Sequence, residues 1–549
     1  MSQNRADWLP LPPILVGKHK EQAMEVKHEE LRLLDDVVLR TVANPTASHC
    51  WHQMVDLMRR HATPALTLQL EQFLLANVAA SGLPGFYRAT FLDMLTGRSE
   101  YLKQAGQIAL SLQPYDADRM VTFLQYSWQR VLLDIPGRQA FQQRLQELAL
   151  PAIAASLNSW IWQQVQPAQV LKQRVINEVR KVALIAPFVS NIKHPPTLMA
   201  LQQAENLRQL GYEVVLYSAQ EMLGPDFRHY LGSHSYTPEP QFVTAGWDKY
   251  LGQGGQVMTG DTRFSLLQRW KSLLGSLAAF DPDLIMFVGL YAGLAAATYP
   301  ARPVLSLGIN SLSPMSPADV WLTAQQDLHG LQASQWTTAF PASQAYHHSY
   351  RVQRPEIQGN HTRASLGLAQ DKLLLVTLVN ESESRIQGAW ARAMLQVLHE
   401  HPQVQWLIIG GSGAMPTALQ AASAEQVGCI AFCADAVKYL ACGDIYVNPP
   451  MMGGGFAVAE AMALGLPALS LQGSDGGDKL GNAAQANLQE YFQTLILWLN
   501  NPDARKIAGQ AMQKHFDDYL DLSKAATSLQ GACELALQRF HFRMAAQTS

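Results

Sequence analysis

Asn448-Pro-Pro-Met-Met-Gly-Gly-Gly-Phe-Ala-Val-Ala-Glu-Ala-Met-Ala-Leu-Gly-Leu-Pro467 decides the reading of this 549-residue chain. A short apolar run, Asp444–Val447, ends just before it, and an apolar helical pattern starts inside it near Phe456. Three glycines between a strand and a helix let the backbone approach a ligand without a Cβ in the way. The N–H groups that open the helix lack partners and carry partial positive charge. Together these make an anion site suited to a phosphate or diphosphate. Glu460 lies about one helical turn further in, on a helix whose other residues are small or apolar. A carboxylate there can accept two hydroxyl hydrogen bonds, as a ribose offers. The plainer alternative is a glycine turn that serves close packing only, with Glu460 solvated.

Outward from this stretch, strand and helix patterns alternate. Toward the N-terminus, Leu373–Leu378 reads as a strand, Gly388–Glu400 as a helix, and Val404–Ile409 and Cys429–Phe432 as strands. Ala436–Ala441 is a short helix, and Pro467–Leu471 a strand beyond the motif. A polar connector, about His347–Asn360, separates this run from an earlier one; its His347-His348 pair reads as solvated. In the earlier run Lys181–Pro187 and Tyr212–Tyr217 are strands around a helix from Thr197 to Leu210, with Gly211 at the helix end. A helix near Phe264–Phe280 precedes strands at Asp283–Val288, Pro303–Leu307 and Val320–Thr323. Two such runs predict two doubly wound parallel sheets whose carboxyl edges face across a cleft. Residues from about 20 to 165 instead show apolar positions at three- and four-residue spacings, as in Leu66–Val78, Met120–Leu133 and Arg138–Leu157. They predict an all-helical bundle without a named repeat.

Composition adds exclusions. A formal net charge of -3 gives no electrostatic reason for a nucleic-acid or anionic-membrane partner. Five scattered cysteines without a CxxC pair read as free thiols in a reducing compartment. The longest apolar stretch, Leu284–Ala297, is too short for a membrane span, and the first residues lack a signal-peptide pattern. A cytoplasmic protein is expected. Asp116–Asp118 and Asp281–Asp283 are Asp-x-Asp pairs, but their places fit helix caps and turns better than a metal–diphosphate site. No Gly-x-Gly-x-x-Gly follows Lys181–Pro187, which disfavours a dehydrogenase.

The quoted stretch resembles the signature of GT-B glycosyltransferases, above all the family-4-like group, where a glutamate, seven residues, a second glutamate and Ala-Met-Ala precede a Gly and a Pro. Gly453, Gly455, Ala461, Met462, Ala463, Gly465 and Pro467 match the pattern. Glu460 falls on the second glutamate, which in that family holds the nucleotide ribose. The first glutamate, which contacts the donor sugar, falls on Met452, so sugar choice and stereochemical outcome do not carry over. The resemblance implies an α/β chain of two Rossmann-like domains preceded by an all-α domain. Residues 1–165 would form the helical, acceptor-handling domain, 166–350 the acceptor-side Rossmann domain, and 351–549 the nucleotide-sugar domain. This layout is similar to that of soluble bacterial protein glucosyltransferases that modify adhesins.

The same resemblance implies further site residues. In Thr377–Ile386 the family places a basic residue on the donor diphosphate. Arg385 is the candidate, since a guanidinium suits bidentate phosphate contact, with Asn380 beside it; a solvated arginine at a helix start is the alternative. Phe432-Cys-Ala-Asp435 and Val437 resemble the segment that holds the nucleotide base, which brings in Cys433 and Ala434. Met452, Gly453, Gly454, Gly455 and Phe456 complete the donor-contacting set. His194, after the first strand in Ser190-Asn-Ile-Lys-His-Pro-Pro196, is read either as a general base toward an acceptor or as an ordinary loop histidine. The expected activity is hexosyl transfer from a nucleotide diphosphate sugar, a UDP sugar foremost, to a protein or glycan acceptor without a metal cofactor. The competing expectation is a non-catalytic nucleotide-binding scaffold whose helical domain binds a partner protein.

Overall fold

The computed structural model describes residues 20–113, 115–134, 137–165, 171–192, 194–221, 244–308, 313–325, 343–433 and 435–548. Its first part is helical: α1 (Lys20–Ala43), α2 (Ser48–His61), α3 (Pro64–Asn77), α4 (Gly82–Thr96), α5 (Ser99–Ala109), α6 (Ala117–Asp134), α7 (Arg138–Glu147) and α8 (Leu150–Val165). Local chemistry sets the boundaries. Thr63 caps α3 by accepting the Leu66 N–H at 3.2 Å, with Pro64 at the first helical position. Gly97, at φ +69°, ends α4. The periodic stretch Arg138–Leu157 is broken at Ala149, which adopts φ +58°, so it forms two helices where one pattern was visible. Trp51, Phe86, Phe91 and Phe123 are fully buried, and their rings meet at 5.6 Å (Trp51–Phe91) and 5.3 Å (Phe86–Phe123).

This region is not a free-standing bundle. Its core runs without a break into that of the first sheet, through Leu157 and Ile161 to Trp270, Tyr291, Leu294 and Met315. Polar ties reinforce the junction: Trp162 Nε1 donates to the Ala296 carbonyl at 2.7 Å and Asn158 to the Met315 carbonyl at 3.3 Å. Asp118 accepts the Leu266 N–H at 3.1 Å, so a carboxylate of the helical region caps a helix of the next domain.

That next domain comprises β1 (Lys181–Ile185), α9 (Pro195–Gln209), β2 (Glu213–Ser218), α10 (Asp248–Leu251), β3 (Val257–Thr259), α11 (Leu266–Phe280), β4 (Leu284–Val288), α12 (Gly293–Thr298), β5 (Val304–Leu307), β6 (Val320–Thr323) and β7 (Gln344–His347). The sheet is parallel, in order β3-β2-β1-β4-β5-β6-β7. β1, β4, β5 and β6 are buried almost throughout, which explains their unbroken apolar runs. β3 and β7 were not expected; both are short edge strands of mixed polarity.

The C-terminal domain holds β8 (Leu373–Leu378), α13 (Ser382–Arg385), α14 (Gly388–Glu400), β9 (Val404–Ile409), β10 (Val427–Ile430), α15 (Val437–Ala441), β11 (Ile445–Val447), α16 (Gly455–Ala463), β12 (Ala468–Leu469), α17 (Asp475–Leu480), α18 (Leu488–Asn500) and α19 (Pro502–His515). Its parallel sheet has the order β10-β9-β8-β11-β12. The chain then returns to the first Rossmann domain through α20 (Ala525–Thr548). Leu529, Ala532, Cys533 and Ala536 bury into that domain's core. Arg543 pairs with the buried Asp319 at 2.9 Å, and Asp319 also accepts the Val304 N–H at 2.9 Å. The connector is no solvated strap either: His348 is fully buried, with Nδ1 2.9 Å from Ser528 Oγ of α20. This corrects the solvated reading of the histidine pair; tertiary packing of a distant helix covers it.

Candidate active site

Both sheets reverse strand order beside a central pair, β1/β4 in the first and β8/β11 in the second, and ligands of such folds sit at the carboxyl ends there. β11 runs into the glycine loop and α16, so the quoted stretch lies at that edge. Its three glycines have three different surroundings. A Cβ on Gly453 would meet nothing within 4 Å, so this residue presents bare backbone to open space. Gly454 caps the helix in the left-handed region at φ +90°, and a Cβ there would sit 2.5 Å from Asn448 Oδ1. Gly455 abuts the Asp475 carboxylate, which a Cβ would overlap outright. Gly455 is thus a packing glycine, and Gly453 the one that faces open space.

Glu460 is half-buried on α16 and has no hydrogen-bond or ion-pair partner among the described residues; burial raises its pKa to about 7. Met452, at the position of the family pattern's first glutamate, is fully buried in the core shared by the helical region and the first sheet. Its carbonyl accepts the Asp475 N–H at 2.8 Å. No carboxylate replaces it from this position. Phe456 is half-buried and packs against the cores of both Rossmann domains.

At the adjoining edge, β8 ends at Leu378, and Asn380, two residues beyond it, is exposed. Gly410 and Gly411 follow β9 against the backbone of Val379 and Asn380, so closely that a side chain would collide with it. Cys433 is half-buried after β10, Val437 opens α15, and Phe432 stands 59% exposed beside them. Ala434 lies outside the described residues. Arg385 closes the short helix α13 after β8. Its side chain is 10% exposed, its Nη2 lies 3.5 Å from the Leu132 carbonyl in the last turn of α6, and Glu381 is 3.8 Å away.

His194 follows β1 at the carboxyl edge of the first sheet and stands just before α9. Its Nδ1 is 2.7 Å from Thr197 Oγ1, which also accepts the Ser190 N–H at 3.1 Å, and its ring meets Phe188 edge-on at 5.5 Å. Burial lowers its pKa to about 4, so it is neutral at pH 7. In the tautomer whose Nδ1–H donates to Thr197 Oγ1, Nε2 is left as a proton acceptor.

The Asp-x-Asp carboxylates are engaged elsewhere. Asp118 caps α11, and Asp116 pairs with Arg119 at 3.4 Å. Asp283 accepts the Arg180 and Lys181 N–H groups at 2.8 Å each and pairs with Arg174 at 2.6 Å, and Asp281 holds Arg302. One group escaped the sequence reading: Ser474-Asp-Gly-Gly-Asp-Lys479, the loop and helix after β12. Asp475 fills the space beside Gly455, and Lys479 Nζ, almost fully buried, donates to Asp475 Oδ1 at 3.3 Å. Asp478 pairs with Arg138 of the helical region. Burial pushes the Asp478 carboxyl up, while the Arg138 charge opposes the shift. Paired carboxylates around two glycines after a strand are the signal that marks this segment.

Residues 378–495 match the family model described as glycosyl transferases group 1. The fold is similar to that of a mutant Thermobaculum terrenum O-GlcNAc transferase, with a TM-score of 0.50, 12% identity, and 96% of this chain and 100% of that one covered. A weaker likeness, at a TM-score of 0.34 and 14% identity, links it to the glycosyltransferase SnogD from Streptomyces nogalater, over 65% of this chain and 100% of that one. A protein described as a putative UDP-N-acetylglucosamine 2-epimerase from Listeria monocytogenes has a TM-score of 0.42, 12% identity, and coverage of 67% of this chain and 98% of that one. No curated protein matches the chain. Two parallel Rossmann-like sheets and a C-terminal helix that crosses back give this chain a fold similar to that of the O-GlcNAc transferase, and the segment across its glycine loop matches glycosyl transferases group 1.

Proposed function

We propose that the enzyme moves a hexosyl group from a nucleotide diphosphate sugar, a UDP sugar foremost, to a protein or glycan acceptor without a metal cofactor. One observation carries this reading: bare backbone at Gly453 lies two residues before a helix that also presents a carboxylate, Glu460, without a partner among the described residues. The N–H groups at the start of α16 suit the diphosphate, and Glu460 suits the ribose hydroxyls. In the transfer, the acceptor nucleophile bonds to the anomeric carbon as the bond from that carbon to the diphosphate oxygen breaks. The departing charge spreads onto the helix-terminal N–H groups, and the acceptor proton passes to His194 Nε2 or to water. Engagement of all four Asp-x-Asp carboxylates supports the metal-free reading.

In this proposal residues 351–549 bind the donor, 166–350 face the acceptor, and 1–165 extend the acceptor surface. A depression on the helical region, lined by Gln113, Tyr115, Ser156, Ser159, Trp160 and Gln163, supports the last assignment. The Tyr115 and Trp160 rings there lie 5.3 Å apart, and the lining is uncharged, as suits a neutral polar chain. Among the described residues no helix is long and apolar enough to cross a membrane. The free cysteines support a cytoplasmic location. The buried Met452 favours one second reading, a nucleotide-binding scaffold without turnover. Incubation with UDP-glucose, UDP-galactose and UDP-N-acetylglucosamine in EDTA separates the two. Release of UDP from one of them supports transferase chemistry, and binding of UDP without any turnover supports the scaffold.

A further inference from the structure

The helical region touches the C-terminal domain at the segment that backs the glycine loop. Gly137 precedes α7, and the first N–H of that helix, from Arg138, donates to the Gly473 carbonyl at 2.7 Å. The Arg138 guanidinium pairs with the Asp478 carboxylate, and the two side chains are only 10% and 8% exposed. Arg138 therefore grips the β12–α17 segment twice, once by backbone and once by charge. Gly473 makes the sharp turn there at φ +73°. Ser474 then caps α17 by accepting the Gly477 N–H at 2.9 Å.

From this grip the contacts lead directly to the loop. Asp475, three residues before Asp478, presses its carboxylate on Gly455, the first residue of α16. Its N–H holds the Met452 carbonyl at 2.8 Å, and Lys479 holds its Oδ1 at 3.3 Å. The position of Asp475 thus sets both ends of the glycine loop, Met452 before it and Gly455 after it. α17 has only six residues, too few to hold its place by itself. Meanwhile the helical region is anchored to the first Rossmann domain by Asp118, Asn158 and Trp162.

We infer that Arg138 is a positioning residue for the donor site: through Asp478 and Gly473 it fixes α17, and through Asp475 the glycine loop. The helical region then serves the donor as well as the acceptor. The inference rests on the reading of the glycine loop as the diphosphate site, and the experiment keeps the two apart.

The full-length protein is titrated calorimetrically with UDP in EDTA, as wild type, Arg138→Met, Asp478→Asn and the reversed pair Arg138→Asp/Asp478→Arg. Removing one partner of a buried pair leaves the other uncompensated, so each single variant should weaken UDP roughly tenfold or more. The reversed pair should recover a substantial part of the loss, which a merely structural lesion would not. In sugar transfer the loss should fall on the donor KM, with the acceptor KM unchanged. Single variants that bind UDP within about twofold of wild type overturn the inference, as does a reversed pair no better than its parents. Where Arg138→Met fails to fold, Arg138→Lys keeps the charge but loses the forked contact. It should weaken UDP a few-fold, and unchanged affinity there also overturns the inference. A wild-type protein that binds no UDP refutes the donor-site reading itself.

Discussion

Gly453 and Gly455 stand two residues apart in one loop, and the structure assigns them opposite consequences. At Gly455 a methyl group would overlap the Asp475 carboxylate. That carboxylate cannot swing aside freely, because its residue is 9% exposed, bonded through its N–H to Met452 and through Oδ1 to Lys479. Gly455→Ala is therefore an overpacking substitution and should destabilise by about 1–3 kcal/mol. For a domain of this size that lowers the melting temperature by about 2–4 °C per kcal/mol. At Gly453 the same methyl group meets open space, so Gly453→Ala should stay within about 0.5 kcal/mol of wild type. Binding inverts the order of concern. Gly453→Val keeps the fold, but its branched side chain occupies the space proposed for the diphosphate, and UDP affinity should be lost. Thermal melting and UDP calorimetry on the three variants supply both readouts. A Gly455→Ala protein that melts with wild type refutes the packing argument. A Gly453→Val protein that binds UDP normally refutes the placement of the diphosphate.

Two pH dependences follow. Burial lowers His194 to about 4 and His348 to about 3, against 6.5 for the free side chain. The unfolded chain therefore binds protons first on acidification. Stability is complete above about pH 6.5 and falls toward pH 4 by about 1.4 kcal/mol per pH unit for each histidine. Calorimetric melting from pH 7.5 to 5 should show this loss, and a flat profile contradicts it. Glu460 behaves oppositely, since its pKa is raised to about 7 and only the ionised carboxylate accepts two ribose hydroxyls. UDP affinity should rise between about pH 6 and 8 more steeply in wild type than in Glu460→Gln; equal slopes would remove Glu460 from the ribose.

How far the sequence spoke depended on the range of the interactions involved. Buried parallel strands such as Lys181–Ile185 and Leu373–Leu378 are legible because both faces must be apolar. The strand expected at Cys429–Phe432 lies at Val427–Ile430 instead, because the apolar Phe432 is at the exposed edge and not in the sheet. Glu460, the glycines and the helix after them were readable because they are local. Burial of His348 was not, because Ser528 and α20 cover it from 180 residues away. The roles of Gly455 and Arg138 were hidden for the same reason: Asp475 and Asp478 reach them only through the tertiary fold. The Leu132 carbonyl near Arg385 Nη2 likewise comes from a distant element, α6, and was not legible locally.

The central claim is that a nucleotide diphosphate binds the glycine loop without a metal and that Glu460 holds its ribose. Calorimetric titration of UDP into wild type and Glu460→Ala, both in EDTA, tests it most directly. Loss of charge-assisted hydrogen bonds should weaken UDP by about 1.5–3 kcal/mol in the variant, while wild type binds with the chelator present. Binding that disappears with EDTA, or that is indifferent to the substitution, would contradict the account.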